Sequence, residues 1–143
     1  MKIELYEVEL ITESKNQLIN ITEKLRECVL KSGVNNGILY VMSKHTTMAI
    51  TMNEAFSCVE EDILLHFQRL VPEEGDYIHN HFLPSDGCLA YNAPAHIKSV
   101  MMGYFGYAPI VDGRLKIGSR MDFYLVELDG PKTRGYLVQI IGE

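Results

Sequence analysis

The sequence predicts an α+β fold, with residues 1–143 forming a single domain of antiparallel-rich, sandwich-like β-sheets and two main helices. A chain of 143 residues fits one domain and can bury a core without disulfides or a structural metal. Several segments alternate between apolar and polar residues, as strands do, whereas two others space their apolar residues as helices do. The chain has no internal repeat, low-complexity run or linker that would divide it.

The N-terminal segment predicts two strands followed by a helix. Residues 2–12 alternate, which is typical of a strand with one wet face, and residues 18–21 form a second, short strand. Thr22 is expected to be the N-cap of a helix that ends at Gly33, a residue type that suits the position after a helix.

Two further strands and a second helix follow. Gly37–Ser43 is apolar almost throughout, so we expect a strand with both faces covered. Residues 47–52 alternate, and Ser57–Leu70 places apolar residues at helical spacing before Pro72 ends the helix. Residues 72–95 have no clear period, and irregular segments of this length are often functional.

The last third of the chain is predicted to be mainly β-structure. A short helix is expected at residues 95–102, stopped by Gly103. Asp112-Gly113 favours a tight hairpin turn, and residues 129–132 give a second turn signal. The strands around these turns are expected at Phe105–Val111, 114–117, 121–128 and 134–141.

The overall charge and the cysteines restrict the partners and the compartment. The net charge of −6 argues against broad nucleic-acid binding, which needs a basic surface. No uncharged apolar stretch reaches the roughly 18 residues of a membrane helix, and the acidic N-terminal segment is unlike a signal peptide. Cys28, Cys58 and Cys88 are odd in number and widely spaced, so we expect free thiols in the cytoplasm, with no nucleic-acid or membrane partner.

Three histidines are the strongest candidates for a functional site. His45 follows a predicted strand, and His79 and His96 flank the irregular segment, so all three can converge in the fold. Neutral imidazole is a common metal ligand and titrates near pH 7, so the trio would suit a Zn²⁺ site or acid–base chemistry. The alternative is that these side chains make ordinary capping and loop hydrogen bonds. His81 could replace or join His79.

Other polar residues could assist the chemistry or bind a substrate. Asn53 and Glu54 close the strand after His45, and Glu54 could be a metal ligand, a residue that orients an imidazole, a general base or a turn residue. Lys98, near a predicted helix start, and Arg114 could bind an anion, with solvated surface positions as the alternative. Glu127 shares strand parity with apolar residues, so it must be paired or protonated if that face is covered.

A series of ordered blocks spans about residues 35–141. The blocks are His45-Thr46-Thr47 through Asn53-Glu54, Asp62, Val71-Pro72, 76–80, 93–99, Gly103, 109–115, Gly118, Glu127 and 129–131. Together they resemble the YjbQ-type family, small proteins often described as secondary thiamine-phosphate synthases. One block departs from the family pattern, because Gly118-Ser119-Arg120-Met121 stands where the family usually has Gly-Thr-Trp-Gln.

The resemblance implies a compact sandwich that assembles as a homotrimer, with the histidine motifs near a subunit boundary. The family's histidine positions correspond to His45, His79 and His96, which implies a divalent metal site at these side chains. The implied reaction joins a hydroxymethylpyrimidine diphosphate to a thiazole phosphate and releases pyrophosphate. In such an enzyme, His45, Glu54 and His96 would be catalytic. The phosphorylated substrate would contact Thr46, Thr47, Asn53, Lys98 and Arg114.

The implied reaction and the implied ligands fit different metals. A leaving diphosphate is usually stabilised by Mg²⁺, which prefers oxygen ligands, whereas three imidazoles suit Zn²⁺. Three functions therefore stay open: a thiamine-phosphate synthase-like transferase, a metal-dependent hydrolase of a phosphorylated small molecule, and a non-catalytic homotrimer that binds a metal or an anion. A purely structural role for the histidines is a fourth alternative.

Overall fold

Residues 1–81 and 91–143 are described by the computed structural model, and they form two antiparallel sheets and four helices. The strands are β1 (Lys2–Ile11), β2 (Gln17–Asn20), β3 (Gly37–Ser43), β4 (Met48–Asn53), β5 (Phe105–Val111), β6 (Arg114–Leu115), β7 (Asp122–Glu127) and β8 (Thr133–Gly142). The helices are α1 (Thr22–Ser32), α2 (Ser57–Leu70), α3 (Ile78–His81) and α4 (Ala93–Met102). The predicted α+β fold is confirmed. Of the three cysteines, Cys88 lies outside the described residues.

The two sheets pack against each other through one apolar core. The five-stranded sheet has the order β1-β8-β3-β5-β6 and contributes Leu39 and Val138 to this core. The three-stranded sheet has the order β2-β7-β4 and contributes Ile50 and Leu125, while α1 adds Leu25. All five side chains are at most 1% exposed, so they give the hydrophobic stabilisation that full burial provides.

The strand β3 was expected to have both faces covered, and this prediction is wrong. Leu39 and Val41 point into the core, but Ile38, Tyr40 and Met42 are 39%, 42% and 47% exposed. Apolar residues occupy both faces of the strand, yet no other described element covers the outer one. At the first residue of β3, the backbones of β3 and β8 lie very close together, because Gly37 is directly opposite Gly142 and neither residue has a side chain.

The helix α1 ends where the sequence predicts, but it begins differently. Gly33 adopts a left-handed conformation, with φ of 65°, and terminates the helix as expected. The N-cap is Ile21 rather than Thr22, because the Thr22 hydroxyl accepts a hydrogen bond from the Phe123 backbone N–H at 2.8 Å. The side chain thereby links α1 to β7 instead of capping its own helix.

The helices α2 and α4 agree closely with the predicted segments. The bounds of α2 are those predicted, but none of its side chains is buried in the described part of the chain. The helix α4 begins at Ala93, two residues earlier than expected, because Pro94 is well suited to the first helical turn. Within residues 1–81 and 91–143, no helix combines the length and apolar character that crossing a membrane would need.

A buried ion pair connects the two sheets at the end of β7 and the start of β8. Arg134 Nε and Nη2 donate to Glu127 Oε2 and Oε1 at 2.7 and 2.6 Å, and the two side chains are 3% and 0% exposed. Burial alone would raise the pKa of Glu127, but hydrogen bonds from Arg134, the Asp129 N–H and Thr12 hold that pKa below its ordinary value. Glu127 is therefore ionised, and the expectation that it must be paired is met.

The ion pair also fixes two neighbouring segments. Thr12, just beyond β1, donates to Glu127 Oε2 at 2.8 Å. Arg134 Nη2 donates to the backbone oxygen and the hydroxyl of Thr47 at 3.0 and 2.8 Å, which holds the segment before β4. Thr47 is 7% exposed and accepts a hydrogen bond from Arg134, and its role in substrate binding stays a prediction.

We predict that Arg134→Met lowers the free energy of unfolding by about 3–5 kcal/mol, because it leaves a buried carboxylate without its cation. The measurement is urea denaturation at pH 7. Arg120→Met is the matched control, since Arg120 is 79% exposed and pairs with Glu54 at the surface, which is worth about 1 kcal/mol or less. Equal losses in the two variants would contradict the assigned importance of the buried pair.

Candidate functional site

The structure brings His79 and His96 together where α3 meets α4. The centroids of the two imidazole rings lie 5.2 Å apart, and the ring planes cross at 85°. The short helix α3 orders part of the irregular segment and carries His79, while His96 lies in the first turn and a half of α4. Two imidazole side chains are thus in direct contact.

A chain of hydrogen bonds orients the His79 ring. Asn92 Nδ2 donates to Asp129 Oδ2 at 3.0 Å, and Asn92 Oδ1 lies 3.0 Å from His79 Nε2. Burial would raise the pKa of Asp129, but hydrogen bonds from Lys132 and Asn92 hold it below its ordinary value, so the carboxylate only accepts. The Asn92 amide nitrogen must then face Asp129, and its oxygen must accept from His79. Neutral His79 is therefore protonated on Nε2, which makes Nδ1 its acceptor nitrogen.

The environment of His96 favours its neutral form. Burial and the nearby charge of His79 lower the pKa of His96, and Asp129 and a hydrogen bond with the Thr46 backbone offset this only in part. Ser99 Oγ lies 2.7 Å from the Thr46 oxygen and 2.9 Å from Tyr104 Oη, so the segment before β4 is tied to α4 beside the imidazole. At pH 7, His96 is accordingly able to accept a proton.

The two histidines open into a cavity of about 570 Å³. The described residues that line it are Asp76, Tyr77, Ile78, His79, Ala93, His96 and Ile97. This volume lies within the range of small-molecule sites, and the mainly apolar walls with a few polar groups are typical of them. Asp76 also pairs with His81, so His81 lies near the cavity without joining its lining.

His45 lies in a different environment from the other two histidines. Its Nε2 accepts a hydrogen bond from the Gly135 N–H at 3.2 Å, and the side chain lines a separate open cavity of about 390 Å³. Burial and the neighbouring Arg134 lower the pKa of His45. Across the two described stretches, no three His, Cys, Asp or Glu side chains are placed to hold a metal ion. The metal site at His45, His79 and His96 therefore stays a prediction.

The residues that close β4 make local contacts. Asn53 Oδ1 accepts a hydrogen bond from the Glu54 N–H at 2.7 Å, as a turn residue does. Glu54 Oε1 lies 3.2 Å from Arg120 Nη1, and neither residue lines the cavity beside His79. Arg120 is one of the residues that depart from the family pattern, and its guanidinium engages the carboxylate that was expected to be catalytic.

The two cations expected to bind the substrate's anion are not brought together. Lys98 is 1% exposed, and its ammonium donates to Glu73 at 3.1 Å and to Asn16 at 3.4 Å. Lys98 follows His96 by two residues on α4, so it lies on nearly the opposite side of the helix. Arg114 lines other cavities, at the hairpin between β5 and β6. The charge of Lys98 is paired inside the fold, and its anion-binding role stays a prediction.

Two residues of the site were not given a role from the sequence. Asn92 immediately precedes α4, and Asp129 lies in the turn between β7 and β8. Both belong to or adjoin the shared blocks, which was the only available signal. Their contact joins residues 37 positions apart, so it depends on the tertiary fold.

The chain is similar to proteins of one family along nearly its whole length. Residues 6–143 match the family described as "UPF0047 protein YjbQ-like". A UPF0047 protein of Methanothermobacter thermautotrophicus is 32% identical over 143 residues, which cover 100% of this chain and 95% of that protein. The UPF0047 protein YugU of Bacillus subtilis is 30% identical over 132 residues, which cover 92% and 94% of the two chains.

Solved structures share the fold. A YbjQ-like protein of unknown function from Sulfolobus solfataricus superposes with a TM-score of 0.91 at 31% identity, covering 99% of both chains. An uncharacterised conserved protein of the YjbQ/UPF0047 family from Clostridium acetobutylicum gives a TM-score of 0.86 at 37% identity, covering 95% of this chain and 99% of that one.

We predict that acidification from pH 7 towards pH 5.5 lowers the free energy of unfolding and that His96→Gln reduces this loss. The pKa of His96 is lowered in the folded protein, so between that pKa and the unfolded value near 6.5 the unfolded chain binds more protons. The contribution of His96 to the free energy of unfolding is therefore fully present above the unfolded pKa and is lost as the pH is lowered. Urea denaturation at several pH values measures the slope. His66→Gln, which removes an exposed imidazole, is the control, and an unchanged slope in His96→Gln would refute the assignment.

Proposed function

Because the chain belongs to the UPF0047 YjbQ-like family, we propose that it is an enzyme whose His79–His96 pair transfers protons on a phosphorylated small molecule. Hydrolysis of the phosphate ester is the favoured reaction. The observation that carries this proposal is the direct contact of two imidazoles, one of them oriented through Asn92 and Asp129, at the wall of the 570 Å³ cavity.

Hydrolysis needs two proton transfers, and two imidazoles in contact suit them. Neutral His96 would accept a proton from the attacking water as the new P–O bond forms. His79 would act in its doubly protonated form, giving the Nδ1 proton to the leaving oxygen as the ester P–O bond breaks and remaining as neutral imidazole with its proton on Nε2. The hydrogen bond from His79 Nε2 to Asn92 would keep the ring in one orientation throughout. His96 is assigned as the base because its pKa is lowered.

A thiamine-phosphate synthase-like transfer is the second candidate, and the shared blocks around His45 and His96 favour it. In that reaction a thiazole nitrogen displaces a diphosphate and loses no proton, so an acid–base pair contributes less. The leaving diphosphate needs cations, but the described lining of the cavity includes no Lys or Arg. We therefore expect a divalent metal, Mg²⁺ or Zn²⁺, to accompany the substrate. A three-histidine metal site would require side chains from more than one chain.

We predict that His96→Gln lowers kcat for phosphate-ester hydrolysis about 10²–10⁴-fold, because it removes the general base. The measurement is release of inorganic phosphate from a panel of small phosphate esters, with and without added Mg²⁺ or Zn²⁺. Asn92→Leu should cause a smaller loss and displace the pH profile, because His79 loses its orienting partner.

His66→Gln is the matched control for this assay and should keep the wild-type rate, because His66 is exposed on α2, away from the cavity lining. An unchanged rate in His96→Gln would show that the histidine pair is not the catalytic centre. Formation of thiamine phosphate from the two phosphorylated precursors, without hydrolysis of other esters, would favour the transferase instead.

The same chain is proposed to assemble as a homotrimer through its outer sheet face, the solvent side of the five-stranded sheet. The exposed apolar residues of this face include Ile3, Leu5, Ile11, Ile38, Tyr40, Met42, Phe105, Tyr107 and Val111. The strand β8 lies between β1 and β3, and β3 pairs with β5, so these residues can form one contiguous patch. The helix α2, which buries none of its side chains, offers a second apolar surface. Contact between two different surfaces of identical chains can close into a ring.

We predict a native mass of three chains in light scattering at micromolar concentration and a shift towards one chain in Tyr107→Lys. A lysine at this 59% exposed position would place a charge within the buried contact. Leu30→Lys on α1 is the matched control, because Leu30 is also exposed but belongs to neither surface. A wild-type mass of one chain would exclude the trimer while leaving the hydrolysis assay as an independent test of the catalytic proposal.

A further inference from the structure

A second cavity, of about 410 Å³, lies between α1 and the β5–β6 hairpin. From α1 it is lined by Arg26, Val29 and Leu30, and from the hairpin and the following segment by residues 113–115 and 117–119. None of these residues lines the cavity beside His79 and His96, so the two cavities are separate. Its volume is within the usual range for small-molecule sites.

The charge of this cavity is opposite to that of the chain. Arg26 and Arg114 both line it, whereas no Asp or Glu does so among the residues that the structure describes. The acid nearest to Arg26 is Glu23, at 3.6 Å, and its side chain is 83% exposed, so this pair is well screened by solvent. In residues 1–81 and 91–143, Arg114 makes no ion pair. Because the whole chain has a net charge of −6, two guanidiniums around one concave surface are a distinctive feature.

The position of Arg114 is set by a well-defined turn. Asp112 and Gly113 have φ angles of 50° and 71°, which give the tight turn that the Asp-Gly pair favours. The Gly113 N–H donates to the Asn35 oxygen at 2.9 Å, so the hairpin is held against the segment that follows α1. The two arginines are therefore carried by elements that are joined to each other.

The remaining lining is largely apolar. Val29 is buried, Leu115 and Ile117 are half-buried, and Leu30 is exposed at the mouth. A free inorganic ion would use the guanidiniums but not these side chains. A ligand that contacts both parts must combine an oxyanion with an apolar body.

We infer that this cavity binds a small amphipathic anion, a phosphate monoester or carboxylate, through Arg26 and Arg114, with its apolar body against Leu30, Leu115 and Ile117. Guanidinium groups bind both types of oxyanion through paired N–H donors, which explains why two arginines suit such a ligand. The inference is independent of the proposed hydrolysis, because it uses none of the residues of the histidine site.

The test is calorimetric titration of the full chain with phenyl phosphate, benzoate and inorganic phosphate. The buffer contains about 0.1 M salt, at which the Debye length is about 10 Å and distant surface charges are screened. Phenyl phosphate or benzoate should bind, inorganic phosphate should bind several-fold more weakly, and Arg26→Gln and Arg114→Gln should each weaken binding about tenfold or more. Both arginines are exposed, so the variants should fold normally. Arg69→Gln, which changes an exposed arginine outside the cavity lining, should leave the affinity unchanged.

Several outcomes would overturn the inference. Absence of binding by phenyl phosphate and benzoate at millimolar concentration would do so, as would affinity that survives both Arg26→Gln and Arg114→Gln. If Arg69→Gln weakened ligand binding as much as Arg26→Gln and Arg114→Gln do, the binding would depend on general surface charge and not on this cavity. Binding that His96→Gln abolishes and Arg26→Gln spares would place the ligand in the histidine cavity instead.

Discussion

The ionised pair of Arg134 and Glu127 determines where the other parts of the site can lie. It joins the last residue of β7 to the start of β8, and therefore the three-stranded sheet to the five-stranded one. The Glu127 carboxylate also accepts the Asp129 N–H, which places the Asp129 side chain that orients Asn92 and, through it, His79. On the other side, Gly135 follows Arg134 directly and donates to His45. A charge that is costly to bury is thus compensated by contacts that also organise the histidines.

The same arrangement explains why the histidines differ although their residue type is the same. His79 is held through an amide whose orientation a carboxylate decides, so its protonated nitrogen is fixed. His96 is partly buried beside it, and the neighbouring imidazole makes a second positive charge unfavourable. Within one chain, His45 Nε2 already accepts a hydrogen bond from the Gly135 N–H, so His45 lies in a different environment from the other two histidines.

Much of the fold could be predicted from the sequence because periodicity records which side of each element faces apolar surroundings. Ser57–Leu70 and Phe105–Val111 were predicted with the observed bounds for this reason. Periodicity could not tell that the outer side of β3 is exposed, because an apolar side chain has the same pattern whether it faces a core or a partner surface. The contact of His79 with His96 followed from their places around one irregular segment. The pairing of Lys98 with Glu73 could not be foreseen, because it depends on how that segment folds back on α4.

The glycines at the ends of β3 and β8 have a consequence for strand alignment. A strand with one polar side resists slippage, since a shift by one residue would bury polar groups and expose apolar ones. β3 lacks this protection, because Ile38, Tyr40 and Met42 would be acceptable inside. A Cβ on Gly37 would collide with the backbone oxygen of Ile141, and one on Gly142 with the backbone oxygen of Asn36. Only a pair of glycines fits there. The alignment of β3 with β8 is therefore fixed by the steric requirement for two residues without side chains, and not by the alternation of polar and apolar residues.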